Sequence, residues 1–201
     1  MALTDPHAPD ATPLRPEELK GLKHAVTTHR ELNGLEAANI VQGQEWALRA
    51  RRTSVPGMLS DEYVQLLHKR MYGEVWSWAG RYRRHDTNIG ITHVNIRTGL
   101  RTLYDDARYW IEHETYAPVE LAIRLHHRLV FVHPFPNGNG RHARLMADLL
   151  LMKHFKVERL PWGGNNLGNS DPRRTEYIDA LHAADAQNYG ALLQFCRSAS
   201  S

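Results

Sequence analysis

His133-Pro134-Phe135-Pro136-Asn137-Gly138-Asn139-Gly140-Arg141-His142-Ala143-Arg144 is the stretch from which the rest of the chain is read. It lies between two apolar patterns of helical spacing, Leu121, Leu125, Leu129 and Val132 before it and Leu145, Leu149 and Met152 after it. A loop carrying two glycines can turn its backbone N–H groups inward as an anion-binding nest, and the helix that follows adds the positive end of its dipole. Arg141 and Arg144 stand three residues apart on that helix, so they are neighbours on one face and can clamp successive phosphates. The stretch therefore predicts a polyphosphate site held rigidly between two helices. Phe135 is assigned to the core beneath it.

Outward from this stretch the periodicity is helical almost throughout. Pro118 opens the helix that runs into the loop, and Arg141 to Phe155 forms the one that leaves it. Leu100, Leu103, Tyr104, Ala107, Trp110 and Ile111 mark another helix, and Thr175 to Phe195 a further one. Thr28 and Glu31 fit a capping box opening a helix that reaches about Arg52, and Ser60 is an N-cap for a helix carrying Val64, Leu67 and Met71. Trp76, Trp78 and Tyr82 form a wall of the core. From Asp86 to Arg97 the pattern changes to alternating β-branched residues around a glycine, which predicts a short hairpin with an open edge able to accept an extended peptide. The expected fold is all-α with one small β-hairpin. Residues 1–16 read as a disordered leader, 17–197 as a single domain and 198–201 as a tail.

Composition narrows the function classes. With 201 residues, 42% of them hydrophobic, the chain has enough material for one domain with a real core. A net charge of +3 without a dense basic block suits an anionic small ligand as well as a nucleic acid and decides little, but no nucleic-acid motif accompanies it, so nucleic acid is not an expected partner. The lone Cys196 excludes an intrachain disulfide framework and fits a reducing compartment, and no apolar run approaches membrane-spanning length. The protein is expected in the cytoplasm. Thirteen histidines invite a zinc reading, but no His-Glu-x-x-His pattern or cysteine pair supports one.

The stretch 133–144 resembles the signature of the Fic/Doc family, His-Pro-Phe-x-(Asp/Glu)-Gly-Asn-Gly-Arg-x-x-Arg, departing from it at Asn137, where the family has an acidic residue. Trp78-Ala79-Gly80-Arg81-Tyr82-Arg83 and Asn88 to Ile96 add to the resemblance, which runs from about Glu31 to Phe195. Glu31-Leu32-Asn33 is most similar to the bacterial mobile-element-associated branch. The resemblance implies a Fic-type helical bundle with its hairpin as a flap, and a protein adenylyltransferase that moves AMP from ATP to a Ser, Thr or Tyr hydroxyl of a target protein. Alternatives within its reach are transfer of another nucleotide, removal of AMP, or a toxin-like partner-binding module without catalysis.

Each residue then has an expected role. His133 is the general base, because an imidazole titrates near working pH. Asn137, Gly138, Asn139, Gly140, Arg141 and Arg144 bind ATP, with Tyr177 beside its base, and the two arginines offset phosphate charge. Mg²⁺ is the expected companion of ATP, with Asn137 as a weak, neutral ligand. Ile89, Ile91 and Val94 on the flap dock the target. The spacing Thr27-x-x-x-Glu31 is similar to the family's inhibitory motif, which makes Glu31 a candidate to pair with Arg144; Glu36 is a second acidic candidate, and a separate inhibitor protein is the alternative.

Overall fold

The computed structural model of the protein describes residues 14–50, 54–163 and 172–198. The leader up to residue 13, most of the glycine- and asparagine-rich segment after Gly163, and residues 199–201 lie outside the described residues. Nine α-helices are described: α1 (Pro16–Leu19), α2 (His29–Arg49), α3 (Val55–Met58), α4 (Asp61–Tyr72), α5 (Ile96–Glu112), α6 (Pro118–Val132), α7 (Asn139–Leu150), α8 (Pro172–Asp185) and α9 (Gly190–Arg197). None of them is long and apolar enough to cross a membrane.

The local signals for helix starts operate as read. Thr28 Oγ1 accepts the Glu31 N–H at 3.2 Å while the Glu31 carboxylate accepts the Thr28 N–H at 3.3 Å, closing the capping box of α2. Ser60 accepts the Tyr63 N–H at 3.2 Å to open α4, and Pro118, which lacks an N–H that would go unpaired there, opens α6.

Packing centres on α6 and α7. α2 lies on α4, α6 runs between α5 and α7, and α8 pairs with α9. Leu121, Leu125, Leu129 and Val132 of α6 join Leu145, Leu149 and Leu150 of α7 in the main core with α2, α4 and α5. Ala122 and Ile123 of α6 and Ala147 of α7 turn the other way, onto a second core with Tyr177, Ala184, Leu192 and Phe195 of α8 and α9. Apolar burial on two faces holds the loop between these helices. Each fully buried leucine contributes about 1.5–3 kcal/mol.

Three expectations change. Asp86 to Arg97 is not a hairpin: it is an irregular segment leading through a 3₁₀ turn (His93–Asn95) into α5 at Ile96. The physical reason is that its polar groups are claimed by side chains. Asp86 Oδ1 accepts the His93 N–H at 2.7 Å, and the Ile91 carbonyl accepts from Arg83, so no ladder forms. Among the described residues the β pairing is one isolated bridge between Leu22 and Trp76. The helix expected from Thr175 to Phe195 is two helices, broken where Gln187 takes φ +65°. The helix expected to reach Phe155 leaves α geometry at Leu151 for a π turn that ends at Lys156, φ +59°. Asp148 binds the returning chain there, accepting from the Leu160 N–H at 3.1 Å and the Trp162 indole at 2.9 Å.

Candidate active site

The stretch 133–144 forms the turn between α6 and α7. His133 is the C-cap of α6 and adopts left-handed geometry, φ +51° and ψ +59°. Such a conformation costs a non-glycine residue about 1–2 kcal/mol, so its surroundings must enforce it. They do so from three sides: the His133 N–H donates to the Leu129 carbonyl at 3.1 Å, its carbonyl accepts from Arg83 Nε at 2.7 Å, and Gly90 lies against its Cβ. His133 is buried, and burial together with the Arg83 charge pushes the imidazole down to about 4, against a backbone hydrogen bond to Val130 that pulls upward. It is neutral at pH 7.

Below the loop, Phe135 is fully buried and stacks on His68 at 3.7 Å between centroids, as assigned. The Gly80 N–H donates to His68 Nδ1 at 3.0 Å, which leaves Nε2 to donate to the Asn137 carbonyl at 3.0 Å. His68 thus pins the loop from α4. Asn139 does not reach outward as expected. Its Oδ1 accepts the Phe135 N–H at 2.9 Å and its Nδ2 donates to the Phe135 carbonyl at 2.8 Å, so the side chain stitches the turn from inside.

The anion-binding part is the first turn of α7. Its N-cap is Gly138, which has no side chain to cap the helix, and the N–H groups of Asn139, Gly140 and Arg141 have no acceptor among the described residues. Gly138 has φ +80°, and a Cβ there would lie 2.5 Å from the ring of buried Tyr72. Gly138→Ala is accordingly expected to lower stability by about 2–4 kcal/mol, from adverse φ and overpacking together. Urea denaturation measures it, and a change below 1 kcal/mol would mean the turn relaxes around the methyl.

The two arginines are held differently. Arg141 Nη2 meets Glu36 Oε2 at 2.7 Å, while Glu36 Oε1 accepts the Trp76 indole N–H at 2.8 Å, and Glu36 is buried. Arg144 lies over the Tyr177 ring at 5.8 Å. Tyr177 comes from α8 with its hydroxyl beside Gly140 and bonded to His126 Nε2 at 2.9 Å, while its ring faces Arg144. Glu31 is not beside Arg144: its carboxylate binds the N–H groups of Thr27 and Thr28, and it serves the cap. Among the described residues the acidic side chain that meets a signature arginine is Glu36, five residues later and facing inward.

Of the proposed docking residues, Ile89 and Val94 are exposed, Val94 at 70%, whereas Ile91 packs against Gly99. Asn137 makes a poor metal ligand, being neutral and having Oδ1 engaged by the Gly138 N–H at 2.6 Å. No group of three His, Cys, Asp or Glu side chains able to hold a metal occurs among the described residues. Arg83, His68 and Glu36 are the site residues to which the sequence reading assigned no function or only a secondary one; for the first, the run Trp78 to Arg83 was the available signal.

Comparison with known proteins bears on this site. The family model described as Fic/DOC matches residues 58–151, which contain the entire signature. Protein adenylyltransferase fic-1 of Caenorhabditis elegans is 34% identical over 169 residues, covering 79% of this chain and 31% of that protein. Protein adenylyltransferase Fic of Drosophila sechellia is 37% identical over 92 residues, 43% of this chain and 18% of its own. The chain thus spans less than a third of the length of these relatives. Among solved structures, Fic-1 of C. elegans superposes with a TM-score of 0.63 at 24% identity, over 89% of this chain and 56% of that one. The N-terminal Fic domain of a Bartonella effector protein superposes with a TM-score of 0.67 at 16% identity, over 90% and 86%.

Proposed function

The chain belongs to the Fic/DOC family through the domain at residues 58–151, and from that premise we propose that it transfers AMP from ATP to a hydroxyl side chain of a target protein. The observation that carries the reading is a neutral His133 at the start of the loop that leads into an uncapped helix N-terminus. A neutral imidazole can take a proton, and free N–H groups at the positive end of a helix dipole hold phosphate oxygens. The names of the curated relatives, protein adenylyltransferases, support the same chemistry.

In this mechanism a target segment lies along residues 86–95 with its hydroxyl at His133. The imidazole takes the hydroxyl proton as the oxygen attacks the α-phosphorus; the bond from that phosphorus to the bridging oxygen breaks, and pyrophosphate leaves. The first turn of α7 and Arg144 offset its charge, and Arg141 joins them once released from Glu36. Catalysis rests on positioning and charge stabilisation. Among the described residues the site offers no carboxylate suited to Mg²⁺, so an accompanying ion would be held by phosphate oxygens and water.

Glu36 restrains the site from within, occupying Arg141 with a buried carboxylate. Glu36→Gln keeps an acceptor for the Trp76 indole but removes the charge. It is expected to tighten ATP binding about tenfold, about 1.4 kcal/mol, while lowering stability by about 1–3 kcal/mol. Calorimetric titration with ATP reads the first, and affinity unchanged or weakened would assign Glu36 to the core alone.

The proposed reaction is tested by intact-protein mass spectrometry of candidate acceptor proteins, and of the chain itself, after incubation with ATP. A mass gain of one AMP with stoichiometric pyrophosphate is expected. Gain of a phosphate, or of nothing with the Glu36→Gln variant also present, would remove the proposal.

A further inference from the structure

Arg83 joins three parts of the site that the chain makes separately. Its guanidinium is buried, and it spends its donors on backbone carbonyls: Nε on His133 at 2.7 Å, Nη1 on His85 at 2.8 Å, and Nη2 on Ile91 and on Val132 at 3.4 Å. Its own N–H donates to the Pro134 carbonyl at 2.9 Å. Two of these acceptors, Val132 and His133, are terminal carbonyls of α6, where the helix dipole is negative. Two others, His85 and Ile91, flank the irregular segment that passes over His133 at Gly90.

We infer that Arg83 is the positioning residue of the transfer reaction, fixing the backbone of His133 in its left-handed cap and holding the docking segment at a set distance from it. This rests on the reading of His133 as the base. The planar guanidinium fork matches the arrangement: several carbonyls from three chain segments are met at once by donors in one plane, which a lysine ammonium on its flexible stem cannot reproduce. The charge bears on function too. Arg83 is the charged group acting most strongly on the His133 ring, and Asp86, the carboxylate facing it from the docking segment, stands 3.7 Å from its Nη1 with most of its side chain in solvent. The positive charge therefore acts on the ring largely uncompensated and disfavours a resting imidazolium. The docking segment has few hydrogen-bonded amides of its own, the His93 N–H on Asp86 and the Asn95 N–H on Thr92, so without Arg83 it would open locally.

The test compares Arg83→Lys and Arg83→Met with the parent chain. The His133 ring titration is followed by NMR, assigned through the signal lost in His133→Gln, and amide exchange is followed over residues 86–95. Neither readout requires transfer activity, so a chain that transfers no AMP would end the proposed function while leaving the positioning role testable. Arg83→Met is expected to raise the His133 pKa by one unit or more, and both variants to speed exchange of the hydrogen-bonded His93 and Asn95 amides at least tenfold. In Arg83→Lys the pKa should stay low while exchange still rises, because the charge remains and the fork is gone. Where transfer is measured, both should lose about a hundredfold in kcat with KM for ATP within threefold. Full rescue by lysine, or unchanged exchange in the segment, overturns the proposal. If Arg83→Met does not fold, the lysine variant alone decides it.

Discussion

His133→Ala is expected to lower AMP transfer by about 100- to 10,000-fold, the range over which a positioned general base contributes, with ATP affinity changed by less than about twofold. The separation follows from the geometry. The imidazole stands at the end of α6, while the N–H groups read as phosphate ligands belong to α7, so removing the ring leaves the nest intact. Hydrogen bonds from Arg83 go to the His133 carbonyl, which alanine retains. Single-turnover kinetics with pre-bound ATP measures the chemical step directly. A loss below tenfold would take His133 out of the proton transfer, and a parallel loss of ATP binding would show that the loop had collapsed.

The second large effect is on stability. Lowering the pH from 7 to about 4 is expected to unfold the protein cooperatively. His68, His126, His127, His133 and His142 are buried, and burial pushes each imidazole down, His133 and His142 to about 4. For a group whose folded pKa lies below its unfolded value of 6.5, the unfolded chain binds the proton first. Stability is then fully present above 6.5 and is lost as pH falls toward the folded value. A depression from 6.5 to about 4 corresponds to about 3 kcal/mol for each of His133 and His142 at the acid end. Asp148 acts with the opposite sign, because burial raises its carboxyl to about 6; it offsets roughly one of them between pH 6 and 4. Against a total stability of about 5–15 kcal/mol the remainder is decisive. Thermal melts at half-unit pH steps should show the midpoint falling steeply below pH 6.5. A midpoint flat to pH 4.5 would mean that these rings are hydrated or protonated in the native state.

The helices were legible because their signals are local. Thr28 with Glu31, Ser60 and Pro118 each satisfy or avoid an unpaired N–H within a few residues, and the stripe from Leu100 to Ile111 declares its face by spacing alone. The signature was legible as a loop for the same reason. What escaped depends on partners far along the chain. Glu36 reaches Arg141 across 105 residues and His68 reaches Asn137 across 69, and no spacing rule encodes either contact. The segment from Asp86 to Arg97 misled because alternating Ile89, Ile91 and Val94 reads as strand. Side chains of Arg83 and Asp86 then took the backbone groups that a hairpin needs. Glu31 presented two compatible meanings, and the local one, the cap, is the one the structure adopts.

The most direct measurement of the central claim compares ATP labelled at the α-phosphate with ATP labelled at the γ-phosphate. The parent chain, Glu36→Gln and His133→Ala are each incubated with bacterial or animal cell extract and with their own chain as acceptor. Label from the α-position should appear on protein, more strongly with Glu36→Gln and not with His133→Ala, while γ-label stays in pyrophosphate. Label retained from the γ-position, or α-label undiminished in His133→Ala, would contradict transfer of AMP by His133.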